Sequence, residues 1–381
     1  MHRVPQRPPP RSPAFWTPAF WTPAFRTLLA AATGLVSGPL LCAPLCASPA
    51  RAAPPEAAGQ GAAPDYAITR TVPLGAPDRW DYLTFMPETG QLLVSHGDRT
   101  TIVDAGDGHL AGELRPLDGA HGQVALPALG RVLADSGRSA SATVFDLASR
   151  RALATVAVGE DADAVVHDPA SRRVFVINGD SGTVTAIDPD GLRALSTIPI
   201  GGKLEFAVAD SRGHLFVNQA EPRAIVRIDT ETLAVTARWP LPGCLSPHGM
   251  GFDARTGRVF TSCVDGSLVV VDAADGRLVA TLPIGRGSDA VAVDPGRRLV
   301  FSSNGDGTLS VVRIIDASHF SQTRSIPTQP GARTMAVDPR SGRVFLVTAD
   351  VASSGPPRLP GSSPSYAFVP GTVHLLFLDP R

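Results

Sequence analysis

The chain is short of net charge, of cysteine and of every common catalytic signature. Lys and Arg number 34 against 35 Asp and Glu, a formal net charge of −1, so no global basic field favours nucleic acid or an anionic membrane. Four cysteines occur in 381 residues, and Cys42 and Cys46 stand close to the N-terminus. There is no phosphate-binding Gly-rich loop, no His-Glu-x-x-His, no Cys-x-x-Cys, no Cys-x-x-Cys-His and no Gly-x-Ser-x-Gly. P-loop, zincin, c-type haem and α/β-hydrolase chemistry therefore have no footing in motifs. Beyond the N-terminal region, no run is long and apolar enough to span a bilayer. What the chain has in quantity is turn residues, 37 Gly and 36 Pro. They fall at regular intervals between short apolar runs, which reads as turns between strands.

The first 64 residues do not share that rhythm. Residues 13–25 repeat a Pro-rich PAFWT unit, and Arg26 precedes an apolar stretch from Leu28 to Ala47. Ser48-Pro49-Ala50-Arg51-Ala52-Ala53 has the small-x-small pattern of a signal-peptidase site. Residues 1–52 are expected to be a signal peptide cleaved near Ala52, and 53–64 a flexible tail. A membrane anchor is the rival reading, but Gly34, Gly38, Pro39 and Pro44 interrupt the apolar stretch. Leu precedes both Cys42 and Cys46, which does not suit a lipoprotein signal, and no Arg-Arg pair suggests twin-arginine export. The mature chain is expected in the periplasm or outside the cell.

Residues 65–381 repeat one unit. Its clearest copy runs from Asp161 to Gly202, where four short β-branched runs are separated by Asp, Pro, Gly and Asn. The start of the first strand recurs at Asp81, His121, Asp163, Glu205, His248, Asp289 and Arg333, at spacings of 40, 42, 42, 43, 41 and 44 residues. Five positions on stands a turn residue, and five of the seven copies have Pro at the sixth. A four-strand unit at this period predicts an all-β fold, a seven-bladed β-propeller. The seventh copy ends at Arg381 without a fourth strand, while Tyr66 to Gly75 matches the fourth strands of other copies. The ring is therefore expected to close by pairing of this N-terminal strand with the last blade, which removes an exposed edge. The seventh copy also carries an insertion, Ala349 to Pro370, expected as a long rim loop and a partial lid.

Phe175-Val176-Ile177-Asn178 stands where a Tyr-Val-Thr-Asn tetrad would stand, with weaker matches at Phe216-Val217-Asn218 and Phe301-Ser302-Ser303-Asn304. On these residues and the ending Pro370 to Leu376, residues 65–381 resemble the YVTN-repeat propellers of the YncE family. The resemblance implies the fold and says little of activity, because propellers host unrelated functions. Trp80-Asp81, Gly108-His109 and Gly213-His214 occur at different places in their copies, so the recurring Gly-His and Trp-Asp marks of WD40 repeats are not there.

Two features carry chemistry. Cys244 and Cys263 flank the first two strands of the fifth copy, and in an oxidising compartment two nearby cysteines are expected to form a disulfide. Two buried thiols, or a soft metal site with His248, are the alternatives. The second feature is the column of strand starts. In a propeller the innermost strands line a central channel, so Asp81, His121, Asp163, Glu205, His248, Asp289 and Arg333 are expected to form a ring at its mouth. Every member is ionisable, while the next column, Tyr82, Gly122, Ala164, Phe206, Gly249, Ala290 and Thr334, is mostly apolar or small. The ring is the candidate ligand site, with His121, His248, Asp163 and Glu205 as candidate ligands for a divalent metal, zinc or copper more than calcium. A hydrated mouth whose polar groups face water is the plain alternative. Of the other histidines, His96, His109, His167, His214 and His319 read as surface or turn residues.

The expectation is a monomeric, exported, non-catalytic binding protein holding an unknown small ligand or protein at the channel mouth. A metal-dependent lyase or lactonase with a channel-mouth metal is one alternative. A haem d1-type tetrapyrrole-handling propeller, with His121 or His248 as axial ligand, is another. No aromatic-basic stripe supports nucleic acid binding.

Overall fold

Seven four-stranded antiparallel sheets make up the domain in the computed structural model, which describes residues 62–381. The expected leader, 1–52, and most of the tail lie outside the described residues. Six sheets use four consecutive strands, as in Ala162–Asp168, Arg173–Asn178, Thr183–Asp188 and Arg193–Pro199. The seventh is built from both ends of the chain. Thr334–Val337 and Val344–Thr348 lead to His374–Pro380, and Tyr66–Pro73 pairs with that last strand from Tyr66↔Pro380 to Pro73↔His374. Each innermost strand contacts those of its two neighbours, and the seventh meets the first. The propeller is thus closed by its own N-terminal strand. No helix among the described residues is long and apolar enough to cross a membrane.

The second and third strands are buried on both faces because every sheet packs between two others. The third residue of each second strand forms the widest layer of the core. It is Phe175, Phe216, Phe260, Phe301 and Phe345 in five blades and Leu93 and Leu133 in the first two, all fully buried. Outer strands alternate or are mostly exposed, as solvated edges should be. On the face where first strands end, arginines that open second strands tie blade to blade. Arg131 donates to Pro189 O, Arg258 to Ala317 O at 2.8 Å and Arg343 to Ala105 O at 2.9 Å. These bonds cap carbonyls at the turns of the next blade, which would otherwise face water.

Three sequence expectations need adjustment. The tail is shorter than 53–64, because Ala63 is buried and Ala62 O accepts Arg313 Nε at 2.8 Å. His96 is not a surface residue; it is buried, with Nδ1 3.1 Å from Thr101 Oγ1 and Nε2 3.2 Å from Gly75 O. The insertion is a two-stranded hairpin, Val351–Gly355 with Ser365–Phe368. It lies on the ring's side of the molecule, where second strands turn into third. Ser363 packs on Gly287 and Gly305 of the sixth blade so closely that no Cβ fits at either glycine, and Gly361 reaches Asp265 and Leu245 of the fifth. The hairpin flanks the mouth along these blades.

Cys244 and Cys263 are joined, with Cα atoms 5.3 Å apart, and both are fully buried. The bond ties the loop before the fifth blade to the end of its second strand, across a sequence separation of 19. Replacing both cysteines by Ser is expected to destabilise the domain by about 3 kcal/mol through the larger entropy of the unfolded chain. Thiol counting on denatured, unreduced protein checks the premise, since two reactive thiols in residues 62–381 would contradict the bond.

Candidate functional site

The ring forms because the same backbone device recurs before five of the seven first strands. Two residues ahead of His121, Asp163, His248, Asp289 and Arg333 the chain turns through a left-handed residue: Gly119, Asp161, Ser246, Gly287 and Gly331. Gly137, Gly179 and Gly305 N–H groups then bond the carbonyls of Gly119, Asp161 and Gly287, which ties the entry loop to the turn after the second strand. Asp161 and Ser246 hold φ of +56° and +47° without being glycine, a conformation that costs about 1 kcal/mol or more for a residue with a side chain.

Neighbouring blades then hold the ring residues by their main chain. Thr334 Oγ1 donates to Asp81 O at 2.9 Å, Asn218 Nδ2 to His248 O at 2.6 Å, and Tyr82 N–H to His121 O at 3.1 Å. Ser303 Oγ donates to Arg333 O at 2.5 Å. Between first strands the backbones approach so closely that Gly249 has no room for a Cβ, which would sit 2.7 Å from Ala290 Cα. Gly122 is as confined, against Val165 N at 2.9 Å.

All seven expected residues surround the mouth, but they pair off. His121 Nδ1 lies 2.8 Å from Asp81 Oδ2 and 3.2 Å from Asp163 Oδ1. Arg333 Nε lies 2.9 Å from Asp289 Oδ2. His248 Nε2 is 3.6 Å from Glu205 Oε2, beyond hydrogen-bond reach, while its Nδ1 bonds Ser246 O at 2.9 Å. The four-residue metal set expected from sequence therefore does not converge. Among the described residues the one group of three that could share an ion is Asp81, His121 and Asp163, with ligand atoms within 4.8 Å of one another. Glu205 and His248 stand apart because His121 turns to the aspartates of both adjacent blades while His248 turns its Nδ1 to Ser246 O.

A fifth carboxylate escaped the sequence reading. Asp135, fully buried on the second blade's Arg131–Ser136 strand, accepts the N–H groups of His121 at 2.8 Å and Gly122 at 2.9 Å. At this position other blades carry Ser95, Ile177, Ser262, Ser303 or Val347. Comparing that column across copies is the signal that finds it. Lys203, the one lysine of the chain, stands at the edge of the ring, and the charges of Glu205 and Asp180 outweigh the effect of burial and raise its ammonium.

Crowded negative charge governs the protonation of the mouth. Burial lowers the His121 imidazole, but the hydrogen bond to Asp81 and the charges of Asp81, Asp163 and Asp135 outweigh it and raise it to about 10. His121 is thus an internal cation. Burial, with the charges of Asp81 and Glu205, pushes Asp163 well up. Burial raises Glu205 to about 8, helped by the charge of Asp289. Burial raises Asp81 and Asp135 too, against the pull of His121. Arg333, about half exposed, is held protonated by Asp289.

The channel is blocked directly below. Tyr82 and Phe206, from the first and fourth blades, face each other with ring centroids 4.6 Å apart, and Tyr82 OH donates to Asp289 O at 3.1 Å. Two large rings fit because the other members of this layer are small or glycine. The ring is therefore a shallow polar basin on an aromatic floor, not the opening of a through-channel.

No protein-family model matches the chain, and no curated protein matches it in sequence. Among solved structures the chain is similar to one of a Kuenenia stuttgartiensis hydrazine synthase, at 14% identity and a TM-score of 0.60, over 70% of this chain and 91% of that one. It is similar also to a chain of a mitotic checkpoint complex, at 13% identity and a TM-score of 0.64, over 82% and 93% of the two. Identities this low carry fold and nothing further, and the fold they carry is the seven-bladed β-propeller.

Proposed function

We propose that the protein is an exported, non-catalytic propeller of the YncE type that binds a ligand bearing a cationic group in the acidic basin. The observation that carries this reading is Glu205. Its side chain is 9% exposed, faces the basin, and makes no hydrogen bond among the described residues. A buried carboxylate without a partner is costly, and a bound cation offsets that cost. His121 pairs with Asp81 and Arg333 with Asp289, so ionisation of Glu205 and Asp163 adds negative charge that these pairs do not balance. Export is supported by the N-terminal sequence pattern alone.

A metal-assisted reaction is the second reading, and the Asp81–His121–Asp163 group favours it. Two aspartates and one imidazole suit a divalent ion, but the imidazole is protonated well above neutral pH, so a metal must first displace that proton. For the tetrapyrrole reading, His121 and His248 each spend Nδ1 within the protein and keep Nε2 as the candidate axial ligand.

A thermal-shift panel of zinc, calcium, putrescine and glycine betaine tests the proposal. At least one cation is expected to raise the melting temperature at pH 8, and Glu205→Gln with Asp163→Asn to abolish the rise. An equal rise in the double variant would place the cation elsewhere.

A further inference from the structure

On the far side of the aromatic floor the channel opens again. A cavity of about 540 Å³ runs from Tyr82 and Phe206 toward the opposite face, where the first strands end. No member of the ionisable ring lines it. Its volume lies within the range of about 300–1,000 Å³ common for small-molecule sites.

The chemistry of its wall differs from that of the basin. Leu83, Val124, Val166, Val208, Val291 and Met335 line it beside Tyr82 and Phe206. Its polar side chains are largely spent within the protein. Thr84 Oγ1 donates to Gln123 O at 2.7 Å, and the Gln123 amide donates to Tyr82 O at 3.1 Å while its oxygen accepts from Ser95. At the entrance Asp210 accepts from Arg212 N–H and bonds His214 Nδ1, each at 2.8 Å. No Lys or Arg lines the cavity. The exceptions are Ser211 and His167, which make no side-chain hydrogen bond among the described residues; His167 lies near the outer end of its strand, and burial keeps it neutral by lowering its imidazole.

We propose that this cavity is a second binding site, taking a neutral, largely apolar small molecule that sets a ring against Tyr82 and Phe206 and hydrogen-bonds His167 near the entrance. A cation would find one carboxylate, already bonded, and an anion would find no positive partner, so charge selects for a neutral ligand. Apolar walls supply affinity by burial, and the offset aromatic pair supplies a surface on which a planar group stacks. The site is independent of the basin, from which the two aromatic rings separate it.

The neutral dye N-phenyl-1-naphthylamine, added to the full chain, tests the proposal by its fluorescence. Saturable enhancement with one dye per chain is expected, and excess calcium or putrescine should leave it in place. Val166→Phe and Val208→Phe each fill the cavity and are expected to weaken binding at least about tenfold. Should neither fold, Val208→Thr keeps the shape, adds a hydroxyl to the wall, and is expected to weaken binding at least about threefold. Absence of saturable binding overturns the proposal, as does equal binding in a folded filled variant. Displacement by calcium or putrescine would assign the dye to the basin and likewise overturn it.

Discussion

Deletion of residues 65–75 is expected to lower the melting temperature by at least about 10 °C, or to leave the protein insoluble. The strand Tyr66–Pro73 supplies the seventh blade's outer edge, and its removal exposes the last strand along its whole length. Tyr66 is 3% exposed and sets its ring edge-on to Phe301 of the sixth blade at 5.4 Å. Val72 packs among Phe345, Leu375 and Phe377. Burial of these two side chains alone contributes about 3–6 kcal/mol. At about 2 °C per kcal/mol in a large domain, that accounts for most of the fall before the backbone bonds of the strand are considered. The exposed edge is an aggregation template as well. Deleting 53–61 touches none of these contacts and is expected to leave the melting temperature unchanged. An unchanged melt after loss of 65–75 would mean that the ring holds without its closing strand.

Raising the pH from about 5.5 to 9.5 is expected to destabilise the domain by several kcal/mol, most of it from the basin. Glu205 titrates at about 8 in the fold against an ordinary value of 4.5. Its raised value favours the fold while the group is protonated. That stability is fully present below pH 4.5 and is lost as pH rises through 8. His121 titrates at about 10 against 6.5, so its contribution is present below pH 6.5 and is lost toward pH 10. Both effects run the same way, and Asp163 and Asp135, raised by burial, add to the loss as pH rises through their folded values. Carboxylates held low oppose it only in acid. Asp98, lowered by Arg99, and Asp379, lowered by Arg343, lose stability as pH falls through their folded values. Glu205→Gln is expected to flatten the alkaline limb and to melt above the parent at pH 9. A parent whose melting temperature is level between pH 5.5 and 9.5 would show that the basin carboxylates ionise as ordinary surface groups.

The fold was legible because each blade repeats one spacing, and the offset from strand start to turn is constant across all seven copies. The closing strand was legible for the same reason, as a fourth strand found at the wrong end of the chain. The ring was legible as a column, since equivalent positions of a closed ring must face one axis. Which neighbour each ring residue chooses was not. His121 bridges two aspartates while His248 turns its Nδ1 to a backbone carbonyl, and both stand at the same position of the repeat. That choice depends on rotamers and on the entry turn, where Ser246 adopts the left-handed backbone. Tyr82 and Phe206 were visible as large members of a mostly small layer. Their meeting joins blades one and four across the axis, and no strand pattern records contacts across the axis. Asp135 was hidden because it lies on a second strand, where the pattern announces only core.

The most direct test of the cation-binding basin is titration calorimetry with zinc, calcium and putrescine at pH 6.5 and 8.5, in buffers of different ionisation enthalpy. Displacing protons from Glu205 and its neighbours is the predicted route of binding. One of the three is therefore expected to bind one per chain, to release a fraction of a proton or more at pH 6.5, and to bind at least about tenfold tighter at pH 8.5. Glu205→Gln should reduce both the affinity and the proton release. Failure of all three to bind at millimolar concentration, or binding that takes no account of pH and persists in Glu205→Gln, would contradict the account.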